Sequence, residues 1–172
     1  ILLDGTDIRD TTFESLRSTV GIVQQDLFLF SATVRDNVAY GAVAASEERV
    51  RQACRIARLD EFITSLPQGY GTWVGERGIT LSGGQKQLLA IGAVLIRRPE
   101  VVIADEPTTL LDLRNARVVS QALDSIDQQV IVVTHQLALL EGFERVVVID
   151  DGLVAFDGTP SDAVPAYREL VE

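Results

Sequence analysis

Apolar and polar positions along this chain follow two different periods. Short β-branched runs at Val20–Val23, Val101–Ala104, Val130–Val133 and Val146–Ile149 read as buried strands, each bounded by polar or turn residues. Ile1–Arg9 reads as two short strands around the turn pair Asp4-Gly5, and Asp151-Gly152 folds a strand back into Leu153–Phe156. Helical spacing fills the intervals. Thr11 or Thr12 caps a first helix, Ser31–Val38 is a short one, and Ser46 caps a longer one to about Arg58. Asp60 opens another that ends at Leu66-Pro67. Ser82 caps Gln85–Ile96, which Pro99 stops. Leu113–Ile126, Leu137–Gly142 and a last helix capped by Ser161, interrupted or started at Pro165, follow.

These elements divide the chain. No strand is expected between Ser31 and Arg98, so residues 31–98 read as a helical subdomain inserted into an α/β core formed by residues 1–30 and 99–172. From Val101 onward strands and helices alternate as parallel βα units do.

Composition narrows the partners. The 172 residues are 47% hydrophobic, enough for a core, and carry a net charge of −10 that opposes a phosphate backbone, with no basic stripe to offset it. A nucleic-acid partner is therefore not expected. The most apolar helical stretch, Leu88–Ile96, is about half the 20 residues a membrane span needs. The lone cysteine, Cys54, shares an apolar helix side with Val50, Ala53 and Ala57, which predicts core packing.

Candidate chemistry gathers at Leu81-Ser82-Gly83-Gly84-Gln85 and at Asp105-Glu106, which ends an apolar run. Small residues at a helix start leave N–H groups and a positive helix end open to an anion. A carboxylate ending a strand can hold Mg²⁺ directly or through water, and a second beside it can orient a nucleophilic water. Gln24 and Gln25 also stand at a strand's carboxyl end, where open α/β sheets place ligands, as does His135, the one histidine.

Leu81–Gln85, with the apolar run Val101–Ala104 ending in Asp105-Glu106 about twenty residues later, resembles the signature and Walker B motifs of the ATP-binding cassette (ABC) ATPases. The resemblance implies a P-loop NTPase, RecA-like α/β core with the inserted helical subdomain, and a Mg²⁺-ATP substrate. It makes Asp105 the metal ligand and Glu106 the residue acting on water. Gln25, favoured over Gln24 by its spacing to Phe30, resembles the Q-loop glutamine that touches metal or its water. His135 stands where the family keeps a histidine that contacts the γ-phosphate, and Asp112 resembles an aspartate of the dimer interface. Leu81, Ser82, Gly83, Gly84 and Gln85 would grip ATP bound to a second nucleotide-binding domain in a head-to-tail dimer. Transmembrane domains are the other implied partner, at the cytoplasmic face of a membrane. Non-transport members, and modules that only lend a signature to a competent partner, share these motifs.

Two departures qualify the resemblance. No Gly-x-x-x-x-Gly-Lys-Ser/Thr occurs in these residues, so the chain resembles the family from a point downstream of the phosphate loop and reads as an N-terminally truncated piece, inactive alone, with apolar surface open. Residues 21–85 resemble multidrug and lipid exporters, including an X-loop-like Val74-Gly75-Glu76-Arg77-Gly78. Residues 86–172 look closer to vitamin and metal-ion importer subunits, as a hybrid with a seam near the signature would.

Overall fold

Two Asp-Gly turns, a buried amphipathic helix layer and a short parallel sheet define the computed structural model, which describes residues 1–75 and 78–171. The chain forms two compact units, Ile1–Val133 and Thr134–Glu172.

The first unit opens with the antiparallel pair β1 (Leu2–Leu3) and β2 (Thr6–Asp7). Asp4 and Gly5 join them with φ of 48° and 79°, as a two-residue type I′ turn requires. Thr12, whose hydroxyl accepts the Ser15 N–H, caps α1 (Phe13–Thr19), which runs into β3 (Val20–Val23). Then follow β4 (Ala32–Thr33), α2 (Val34–Ala39), α3 (Glu47–Ile56), α4 (Asp60–Ser65), β5 (Trp73–Val74), α5 (Gly83–Leu95), β6 (Val101–Asp105), α6 (Leu113–Asp124) and β7 (Gln129–Val133).

β3, β6 and β7 form a parallel sheet in that order, with Ile22, Ile103 and Ile131 in one row. One face buries Gly21, Val23, Val102 and Ala104, and β3 lies there against α5. Gly21 is required by that approach. A Cβ built on it would overlap Val94 Cγ1 and stand 3.0 Å from Pro99 Cγ. The opposite face leaves Ile22, Ile131 and Val133 about half exposed, the open apolar surface expected from sequence.

α5 is apolar nearly all round because α2, α3, α6 and β3 all pack on it. Arg49 Nε donates to Ile96 O at 2.9 Å and so caps one of the helix's last carbonyls. Ser46 caps α3 as expected, and Val50, Ala53 and Cys54 are its buried residues.

The expectation of an uninterrupted helical region is corrected by β4 and β5, which pair antiparallel with Ala32 opposite Val74 and Thr33 opposite Trp73. Val34 N–H extends the ladder to Thr72 O at 2.9 Å. Two-residue strands about 40 positions apart carry no periodicity; burial of Val74 selects the pairing.

Cys54 is fully buried, and burial raises its thiol from the ordinary 9.0 to about 11. At pH 8 its thiolate fraction is therefore on the order of 10⁻³. Iodoacetamide is expected to leave Cys54 unmodified in native buffer and to label it in urea; labelling at equal rates in both would refute this burial. Because the folded thiol titrates above the unfolded one, its contribution to stability is complete below pH 9 and fades as pH rises through about 11.

The second unit holds a 3₁₀ turn at Leu137–Gly142, the hairpin of β8 (Val146–Asp150) and β9 (Leu153–Gly158), and α7 (Pro160–Val171). Val146, Val148 and Ala163 are its buried core, with Leu140, Phe156 and Tyr167 packed around them. Asp151 and Gly152 make the hairpin turn with φ of 46° and 77°. α7 starts two residues earlier than a Ser161 cap implies. Pro160 needs no N–H at the first helical position, and Thr159 O accepts from Ala163 at 2.9 Å.

Candidate functional site

The parallel sheet brings polar residues to one edge. Val23, Ala104 and Val132 are level across the three strands, and Asp105 is level with Val133, so Gln24, Gln25, Asp105 and Glu106 leave the sheet at its carboxyl edge. Gln24, Gln25 and Asp105 are exposed there.

Glu106 turns sharply. Its φ of 46° is left-handed, a conformation unusual for a residue with a side chain and one that concentrates at functional sites. The turn is held by its own N–H, which donates to Val133 O at 2.8 Å, and by the Thr109 N–H donating to Glu106 O at 3.2 Å. The Thr109 hydroxyl donates to Glu106 Oε2 at 2.8 Å, fixing the carboxylate's orientation. One exposed carboxylate at Asp105, with an amide on the neighbouring strand, suits Mg²⁺, which takes one or two protein ligands and keeps waters or phosphate oxygens for the rest. Among the described residues no group of three or more His, Cys, Asp or Glu side chains forms an all-protein cage.

Ser82–Gln85 forms the second feature. Ser82 Oγ accepts the Gln85 N–H at 3.2 Å, and Gln85 Oε1 accepts the Ser82 N–H at 2.9 Å, a complete capping box. α5 begins at Gly83 rather than at Gln85, so the glycines are helical and theirs are the first-turn N–H groups left without intrahelical acceptors. Leu81 anchors the turn from below, 5% exposed, while Ser82 and Gly83 face solvent. Gly84 is buried. A Cβ on it would stand 2.7 Å from Asn115 Oδ1, and one on Gly83 would stand 2.9 Å from Leu111 Cδ2.

Asp112 caps α6. Its Oδ1 accepts the Asn115 N–H at 2.8 Å and its Oδ2 the Asn115 side-chain amide at 2.7 Å. Those two bonds, the backbone one first, hold the exposed carboxyl below its ordinary value. Between this cap and the helical layer lies a cleft of about 510 Å³ lined by Arg58, Phe62, Gln85, Leu88, Asp112 and Asn115, among others.

With this geometry established, a comparison with known families is decisive: the model described as ABC transporter matches residues 1–109. The chain belongs to the ABC transporter family. An ABC transporter ATP-binding protein of Bacillus subtilis, called YwjA, is 40% identical over 96% of the chain. A putative multidrug export ATP-binding/permease protein of Staphylococcus aureus is 42% identical over 99%. The chain spans 29% of the length of each. Among solved structures, a bacterial Atm1-family ABC exporter with ATP bound superposes with a TM-score of 0.85 at 36% identity, covering 99% of this chain and 32% of its own. The fold is thus the mixed α/β fold of an ABC ATPase domain, the P-loop NTPase class expected from sequence.

Within this ABC domain the residues singled out from sequence fall into separate groups. Gln25, Asp105 and Glu106 share the sheet edge, whereas Leu81–Gln85 and Asp112 share the α5–α6 contact through Asn115. His135 belongs to the second unit, in a turn where Thr134 Oγ1 accepts the Gln136 N–H at 3.0 Å. In the X-loop-like segment, Glu76 and Arg77 lie outside the described residues. Sequence reasoning missed Asn115 and Thr109. Asp-x-x-Asn at a helix start is a legible capping pattern, but the approach to Gly84 is tertiary and leaves no local signal.

Proposed function

We propose that the chain is the ATP-binding and hydrolysing domain of an ABC exporter, coupling ATP-driven closure of a head-to-tail dimer to transport. The observation that carries this is the pairing of a capped glycine helix start with an oriented carboxylate at a sheet edge, in a chain of this family. Asp105 would hold Mg²⁺, with Gln25 beside it, and the ion would neutralise charge on the phosphate oxygens of ATP. Glu106, fixed by Thr109 and by its own turn, would orient and deprotonate the attacking water. His135 would donate to the γ-phosphate.

Ser82, Gly83 and Gly84 would contact the γ-phosphate of ATP bound to a second nucleotide-binding domain. Ser82 Oγ spends a lone pair on the cap, which leaves its O–H to donate outward. Leu110 and Leu113, 98% and 92% exposed on either side of Asp112, favour a protein surface against this loop. The other partners would be transmembrane domains, with the domain at the cytoplasmic face of a membrane. Residues 1–30 with 99–172 would be its core and residues 31–98 its helical subdomain. Matches to export proteins run over 99% of the chain, on both sides of the signature, which favours export over an importer origin for residues 86–172.

A second reading is favoured by the lack of a Gly-x-x-x-x-Gly-Lys-Ser/Thr run in these residues: a module that lends its signature to a competent partner. One pair of measurements tests both. The full-length protein, purified with its membrane-spanning part, is expected to hydrolyse Mg-ATP, while residues 1–172 alone bind no Mg-ATP by calorimetry. Absence of turnover in the full-length protein overturns the hydrolytic reading, and saturable binding to the isolated chain overturns the expectation of an incomplete site.

A further inference from the structure

We infer that Asn115 is a positioning residue that joins the signature turn to the Asp112 loop so that the two move as one piece, an inference that rests on the function proposed above. Three contacts meet at this half-buried residue. Its backbone N–H and its side-chain amide occupy both oxygens of the Asp112 carboxylate, at 2.8 Å and 2.7 Å. Its Oδ1, Cβ and Cγ lie over Gly84, where a Cβ would stand 2.7 to 2.8 Å from each. The carboxylate cannot swing without taking the amide with it, and the amide cannot swing without striking the helix backbone at Gly84.

The residue type fits the task. Aspartate here would set two carboxylates against each other, leucine would fill the volume without donating, and alanine would keep only the backbone bond to Asp112. Gly84 is the matching half: it has a helical backbone that alanine could adopt, so what excludes a side chain is Asn115 itself. Gly83 adds a parallel contact through Leu111, one residue before Asp112.

The consequence for the reaction is a fixed spacing. The Gly83 and Gly84 N–H groups and the Asp112 carboxylate face a partner domain together, so a nucleotide that orients one orients the other. Loosening the link weakens closure on ATP and leaves the chemistry at Glu106 in place.

The test uses the full-length protein. Asn115→Ala is expected to raise KM for ATP about tenfold while kcat changes less than twofold; a fall in kcat at unchanged KM, or no change in either, overturns the inference. A second arm does not depend on turnover. Gly84→Ala is expected to lower the thermal unfolding midpoint or to prevent folding, and Asn115→Gly in the same protein to restore a folded state with a midpoint several degrees higher, the non-additivity of residues in contact. Additive effects, or a double variant that also fails to fold, overturn the contact. If wild-type protein has no ATPase activity, the functional reading fails, while the second arm still decides the link between Gly84 and Asn115.

Discussion

Glu106→Gln in the full-length protein is expected to lower ATP turnover by about 10²–10⁴-fold while ATP-driven association of the domains persists. The substitution is nearly isosteric. A glutamine side-chain oxygen can still accept from the Thr109 hydroxyl, as Glu106 Oε2 does at 2.8 Å, and the backbone turn at φ 46° is unaffected. What is lost is the basic oxygen, so binding and catalysis separate cleanly. Phosphate release measures the first effect and ATP-dependent cross-linking of paired domains the second. Wild-type turnover in this variant would remove Glu106 from the reaction. Loss of both turnover and association would show instead that the carboxylate holds the fold or the nucleotide.

The separation follows from how the edge of the sheet is built. Asp105 stays in register with Val133 and points its exposed carboxylate out of the ladder, whereas Glu106 leaves the ladder and reaches back to Val133 O. Adjacent carboxylates thereby stand in different surroundings. Asp105 is open to solvent and available to a cation, while Glu106 is half-buried and its carboxylate is oriented by the Thr109 hydroxyl. Two residues of one chemical type can so take different tasks.

Much of this is legible in the sequence because it rests on local rules. Apolar runs that end in polar residues predict β3, β6 and β7 and put Gln24, Gln25, Asp105 and Glu106 at strand ends. Ser82 and Gln85, three apart, are the two halves of a capping box. Propensity misplaces the start of α5 by two residues, since glycine pairs favour loops. Tertiary packing prevails there: Gly84 lies beneath Asn115, where no other residue fits. β4 and β5 escape notice for a similar reason, two residues being too short for a period to register. The link from Asn115 to Gly84 joins positions 31 apart through a contact that neither segment announces. Strand ends and caps are local chemistry, whereas the joints between helices are shapes that appear only on folding.

Gly21→Val shows which of these levels prevails when they disagree. On intrinsic β-propensity the substitution is favourable by as much as ~1 kcal/mol, since valine suits a strand and glycine does not. Packing argues the other way. Gly21 is buried on the face of β3 that meets α5, and even a single Cβ there would overlap Val94 Cγ1 and press within 3.0 Å of Pro99 Cγ. Neither neighbour yields easily: Val94 is branched at Cβ and stands near the end of α5, and Pro99 is a rigid ring in the turn before β6. The net change is expected to be a loss of about 3 kcal/mol, at the upper end for overpacking, seen as a urea midpoint lower by about 1–2 M in circular dichroism of residues 1–172. An unchanged or higher midpoint would mean that α5 can lift from the sheet at little cost. The same measurement on Ile22→Thr, on the half-exposed opposite face, provides the contrast, with an expected change of under about 1 kcal/mol. Because α5 carries Ser82–Gln85 at its other end and β3 leads directly into Gln25, a helix displaced at Gly21 also misplaces both features. The close approach of strand and helix is therefore a condition of the site as well as of stability.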